Sequence, residues 1–328
     1  AGSVVTFNSG EDSTAILSGF TITNGSANQG GGIFVQGSSP SFSSLIVQNN
    51  VAFTAGGFYL HSCSSSFDGI TISSNTAYYR AGGMQAWQGS DINMQNSVFI
   101  NNVAVDWGGG GWLNEGTYQN VKFISNTAGS GGGFGTEGIP KFKNCLLFGN
   151  QASQGGGIYT HGAPEISLVN TTIAGNSAEV GDGLWTNGSS QIYLINSIMA
   201  NGGSDEIYDN GGGFFNIYFY NSVLVNGTES VTLQSTGTIT FGETNIDIAP
   251  LFSDISNGDY SLSDYSPAIG AGIDSLGING TWQYSPMIDI DGNPRPSPEG
   301  SSPDMGAYEN AHGTPLHNSF IHVATTGN

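Results

Sequence analysis

The stretch NCLLFGNQASQGGGIY, residues 144–159, carries two asparagines six residues apart and runs through three glycines into Ile158 and Tyr159. Upstream stands NVKFISNTAGSGGGFG (120–135) and downstream NTTIAGNSAEVGDGLW (170–185), the same sentence in different words. Aligned on the second asparagine, the chain reads Asn50, Asn75, Asn102, Asn126, Asn150, Asn176, with spacings of 25, 27, 24, 24 and 26. Six residues earlier a second polar column holds Asn96, Asn120, Asn144, Asn170, Asn196 and Asn221. Between them lies an apolar column (Val47, Ile72, Phe99, Phe123, Leu147, Ile173), and after the glycines another: Ile33, Phe58, Met84, Trp112, Phe134, Ile158, Leu184.

Self-similarity at this period means a solenoid, a propeller or an array. Glycine at this density is incompatible with helical repeats, which need amphipathic runs of about ten residues. The apolar columns sit in short segments rich in Ile, Val, Phe and Thr and bounded by Gly, Asn and Ser, which are strand signals. A propeller blade needs about 40 residues, too many for this period. The expected fold is therefore all-β: a right-handed parallel β-helix of about 25 residues per coil, handedness following the chirality rule for parallel crossovers. Like residues then stack at about 4.8 Å along the axis. Asparagine tolerates left-handed corners and can bond its counterpart in the next coil.

The repeats GGGIF (30–34), GGGFG (131–135) and GGGIY (155–159), with SVFINN and LFGN between them, resemble those of secreted bacterial right-handed β-helix proteins. They are also similar to the repeats of polymorphic outer membrane proteins. The segment IDIDGNPRPSPEGSSPDMGAYEN (288–310) resembles the closing signature of pectate-lyase-like β-helix proteins. That superfamily includes lyases, hydrolases, adhesins and structural proteins, so the resemblance implies a fold and not an activity. None of its catalytic residues can be placed on this sequence.

Three segments are expected: coils over 1–285, a closing segment over 286–312, and a tail over 313–328 that resembles the first strand of a following unit. The first twenty residues read as interior coil and not as a cap. This favours either a piece of a longer surface polypeptide, with further domains beside it, or a subunit that joins copies of itself end to end through terminal strands.

The chain has 25 acidic residues against 5 basic ones among 328, a formal charge of −20. That balance repels phosphate backbones and anionic membranes, so no nucleic acid is expected as a partner. No run approaches the roughly 18 apolar residues of a membrane helix, so no membrane insertion is expected. The repeat register puts Cys63 and Cys145 more than three coils apart, about 15 Å at the strand spacing, beyond disulfide reach. Two buried free thiols are expected.

Strand alternation identifies the outward residues as those one and three places after the Ile33 column. These include Phe34, Tyr59, His61, Gln85, Trp87, Leu113, Glu115, Glu137, Tyr159, His161 and Trp185. Aromatics with carboxylates and imidazoles are what glycan sites use, and Trp87, Tyr159, His161 and Trp185 are the candidate ligand-binding residues. Glu115 and Glu137, stacked on adjacent coils, would bring carboxyls to about 5 Å, the spacing of a retaining glycosidase pair. Lyase chemistry would need a cation and a base beside the substrate carboxylate. Lys122, Lys141 and Lys143 lie in one region, but no arginine accompanies them. Asp289, Asp291 and Asn293 occupy the first three ligand positions of a Ca²⁺ loop without the glutamate at the twelfth, so a minor calcium site is the only cofactor expectation. The reading taken forward is a non-enzymatic, extracellular structural or adhesive β-helix. The alternative is a carbohydrate-binding or carbohydrate-active one.

Overall fold

A computed structural model describes residues 2–162, 164–203 and 205–317. Most of the chain is wound into a parallel β-solenoid with three sheets running along its axis. The first has ten parallel strands, from Val5–Phe7 to Val231–Leu233, in chain order. The second ends on Thr238–Phe241. The third pairs Ser26–Gln29, Val51–Thr54, Thr76–Arg80 and Val103–Ala104, and continues as single bridges through Thr127, Gln151 and Ser177.

Identical column positions face each other in register, as in Phe134↔Ile158 and Ile158↔Leu184. The interior is built from such stacks: the Phe99 and Phe123 rings lie 4.7 Å apart at 9°, and those of Tyr118 and Phe142 5.0 Å apart at 18°. The glycine column is a packing requirement. A Cβ on Gly109 would stand 2.5 Å from the Gly132 carbonyl oxygen and 2.7 Å from the Thr127 nitrogen of the next coil.

The two asparagine columns divide the roles expected of them. Asn50, Asn75, Asn102, Asn126, Asn150 and Asn176 point inward, at most 2 % exposed, and each carboxamide donates to the next at 2.8–3.0 Å. Asn176 passes the ladder to Asn201, which donates to Glu206 Oε2 at 2.6 Å. The left-handed backbone falls on the residue before each of them, among them Asn49, Ser74, Asn101 and Ser125. Asn96, Asn120, Asn144, Asn170, Asn196 and Asn221, by contrast, are themselves left-handed, with φ between 46° and 57°.

Two expectations are corrected. Trp112 does not belong to the inward column: Gly111 pairs with Met84 and Phe134, while Trp112 pairs with Gln85 and Gly135. Leu113 is consequently inside, fully buried, and not outward. Left-handed Gly108 sets the corner in line with Gly131, and four consecutive glycines leave the sequence alone one residue ambiguous there.

The coils also stop earlier than residue 285. After Phe241 only Asn245–Asp247 still pair with the coil below, Ile246 bridging Val223, and residues 248–317 leave the axis and run back along the flank of the second sheet. Two small antiparallel hairpins, Phe252–Asp254 with Asp259–Leu262 and Ser275–Ile278 with Thr281–Tyr284, are embedded in this strap. The left-handed asparagines are its anchors. Asn221 donates to the Ala271 carbonyl, Asn196 to Ile273, Asn170 to Asp304 and Asn144 to Ile288, at 2.6–3.0 Å. The expected closing segment 286–312 thus lies on the side of the solenoid, not over its end. Of the expected tail, 318–328 falls outside the described residues.

Candidate functional site

The outward face of the first sheet carries the aromatics that alternation assigns to it, but they are mostly covered. Tyr59 is 8 % exposed, Tyr159 7 % and Trp185 3 %. Tyr159 and Trp185, in register on adjacent strands, stack at 4.7 Å and 5°, hiding each other's faces. Trp107 and Val180, from the corner bridges that flank this sheet, pack against the same cluster. His161 is exposed, opposite Asn187.

Trp87, Glu115 and Glu137 do come together. With Gln88, Ser90, Asn114 and Gly138 they line an open groove of about 270 Å³. The one-residue slip at Trp112 changes their relation. Asn114, not Glu115, stands opposite Glu137, and its Oδ1 accepts the Glu137 backbone N–H at 3.1 Å. The two carboxylates therefore occupy neighbouring columns and not one stack. Glu115 is exposed and Glu137 half-buried. The groove offers two carboxylates, two amides, a hydroxyl and one indole wall, a set suited to hydrogen-bonding a polar ligand.

Beside the groove lies a feature the sequence reading passed over. The strand Thr76–Arg80 holds one more residue than its neighbour between the paired positions, so Arg80 aligns with Thr54 across a register shift. The bulge turns the Arg80 guanidinium into an aromatic nest, 4.4 Å from the Trp112 ring centroid, 5.0 Å from Trp87 and Trp107, and 5.5 Å from Tyr79. The signal available in the sequence was the distance from ladder asparagine to glycine pair, seven residues from Asn75 to Gly82 against six from Asn50 to Gly56.

The calcium-loop residues are committed elsewhere. Asp289 is fully buried, and its carboxylate accepts the backbone N–H groups of Asp291, Asn293 and Glu309 and the Asn293 amide, at 2.8–3.0 Å. Asp291 pairs with Lys122 at 3.1 Å. Among the described residues no group of three or more His, Cys, Asp or Glu side chains is placed to hold a metal ion. Asp289 instead belongs to a buried charge cluster. Arg295 and Glu309, with side chains 0 % exposed, pair at 2.9 Å, and Asp304 lies against Glu309, its backbone N–H donating to Glu309 Oε2 at 3.1 Å. Burial, then the neighbouring Glu309, pushes the Asp304 carboxyl up to about 7. Burial likewise raises Glu309. Both cysteines are free and buried, as expected.

The family model described as "Right handed beta helix region" matches residues 4–173. No curated protein and no solved structure matches the chain. The coil pairing continues unchanged beyond the matched span, from Leu184↔Ile207 to Phe219↔Phe241.

Proposed function

The chain belongs to the right-handed β-helix family, and from that premise we propose that it is a non-enzymatic, extracellular structural β-helix, a stiff rod lengthened by another β-helical body at its end. One observation carries this reading. The solenoid finishes at Val231–Leu233 and Thr238–Phe241 with its core half-open, since Val231, Leu233, Ile239 and Phe241 are only partly buried. Past this point Ile246 adds a single bridge to Val223, and the described residues from 248 on strap the flank and leave that end half-open. Strand edges with an apolar inward row are templates for further pairing. The partner is a copy of this chain or a further domain of the same polypeptide. The high acidic charge supports solubility of such a rod outside the cell.

Light scattering and negative-stain microscopy across a concentration series test the proposal. Wild-type chain is expected to form end-to-end species, and Ile239→Lys with Phe241→Lys to reduce them to single rods. Single rods from the wild type at every concentration would sink end-to-end association.

A second reading, a glycan-binding face, is favoured by the groove that holds Trp87, Glu115 and Glu137 together. It predicts glycan retention that Trp87→Ala abolishes and Trp185→Ala spares, because Trp185 is buried in its stack.

A further inference from the structure

Where the strap first turns back it does not lie flush against the solenoid, and a cavity of about 380 Å³ remains between them. Ala200 and Val225 face it from the coils, and Pro250, Leu251, Phe252 and Ile255 from the strap. It is reached from solvent past Leu251 and Ile255, 47 % and 63 % exposed. Two observations mark it as a built site. Leu251 has a left-handed backbone, φ 54°, and is the one large apolar residue among the described non-glycine residues with positive φ. Such strain costs about 1–3 kcal/mol and gathers at ligand clamps. The second observation is Tyr260, 7 % exposed, its ring gripped by Phe148 at 5.0 Å and Phe252 at 5.1 Å. Its hydroxyl lies against Gly175, also a lining residue, so closely that a Cβ there would collide with the oxygen. Burial raises the Tyr260 pKa with no hydrogen bond to offset it. The sealed unpaired side-chain atoms among the described residues belong to Ser65, Arg80, Gln85, Trp112 and Asp205, so the Tyr260 oxygen is unpaired yet accessible from the cavity. Buried tyrosine hydroxyls ordinarily find a partner.

We propose that this cavity binds a small uncharged aliphatic molecule whose single carbonyl oxygen accepts a hydrogen bond from the Tyr260 hydroxyl. An apolar cavity of about 150 Å³ holds benzene, so this one has room for a chain of about eight carbons. The other polar side chain in the lining is already spent: the Asn201 carboxamide accepts from Asn176 and donates to Glu206. No charged side chain lines the cavity, so an ion of either sign would be desolvated without a partner. An alcohol paired with Tyr260 would leave one of the two O–H groups unmet, whereas a carbonyl needs only the donor that is there. No bond is made or broken. The site binds.

Isothermal titration of the full-length chain with 2-octanone is expected to show saturable binding at a single site. Tyr260→Phe, which removes only the hydroxyl, should weaken it about tenfold, the size of one hydrogen bond in a buried site. Ala249→Trp, at an exposed lining position, should fill the cavity and abolish binding while the unfolding temperature stays close to that of the wild type. Sodium octanoate should bind at least about tenfold more weakly than the ketone. The absence of saturable binding in the wild type would overturn the proposal, as would full affinity in a folded Ala249→Trp chain. Octanoate binding as tightly as 2-octanone would overturn the uncharged class, and unchanged affinity in Tyr260→Phe the role of the hydroxyl.

Discussion

Asn126 donates to the Asn150 carboxamide oxygen and the Phe99 carbonyl, each at 3.0 Å, and accepts from both the backbone and side-chain nitrogens of Asn102. One side chain thus closes two rungs of the internal ladder, and its neighbours have no water to turn to. Asn126→Ala strands the Asn102 donors and the Phe99 carbonyl. At about 1–3 kcal/mol for each stranded group, a loss of roughly 3–5 kcal/mol in unfolding free energy is expected by denaturant titration. Asn120→Ala, at a half-buried position of the outer column, should cost less, about 1–2 kcal/mol, mainly from its left-handed backbone. Equal losses would remove the distinction between the buried ladder and this half-buried corner. The same enclosure silences Cys145, whose thiol is pushed up to about 12 by burial. A thiol-specific reagent at pH 8 should leave it unmodified in the native chain and label it once unfolded. Labelling of the native protein at Cys145 would show that the coil opens there.

The strap is the element most sensitive to pH. With its carboxyl raised to about 7 from an ordinary 3.8, Asp304 keeps a proton when folded that the unfolded chain has already released. The stability it contributes is fully present below the unfolded value and fades as pH rises through about 7; raised Glu309 acts in the same direction. Hydrogen-exchange protection over 286–312, taken relative to the intrinsic rate at each pH, should therefore be greater at pH 5.5 than at pH 8, and Asp304→Asn should flatten the difference. The opposite order would mean that another group governs docking. Removing one partner of the fully buried pair, as in Arg295→Ala, should cost about 3–5 kcal/mol and release the strap. The strap also marks where sequence reading runs out. The coils are legible because each announces itself locally, through an asparagine column, a glycine pair and an apolar residue at fixed offsets. The strap's route is not, because its partners Asn144, Asn170 and Asn196 lie between 77 and 144 residues away in the chain. The candidate groove was half legible. Trp87, Glu115 and Glu137 share it as alternation suggests, but GGGGW (108–112) carries no side chain to fix its register, and the stack read between the two glutamates is lost with it.

Along the whole solenoid each coil touches only its neighbours, so stability adds as local terms plus interfaces rather than through one compact core. The strap breaks that uniformity. Its described contacts run from Asn221 back to Lys122, clamping the later coils, while the coils over residues 5–73 receive no strap hydrogen bond among the described residues. Near the open start, Val5, Phe7 and Leu17 are only partly buried, whereas Phe99, Phe123 and Phe142 are fully enclosed. Local opening should thus cost least in the early coils and most beneath the strap. Native-state hydrogen exchange is expected to show a gradient, with amides of Ile33–Gln36 exchanging faster than the paired amides of Glu165–Val169. Phe123→Ala, at the centre, should lower global stability by about 3–5 kcal/mol, while Phe7→Ala should fray the first coil and leave the later ones protected. Uniform protection from end to end, shifted equally by both variants, would instead identify a single cooperative unit in which the strap acts only as a passenger.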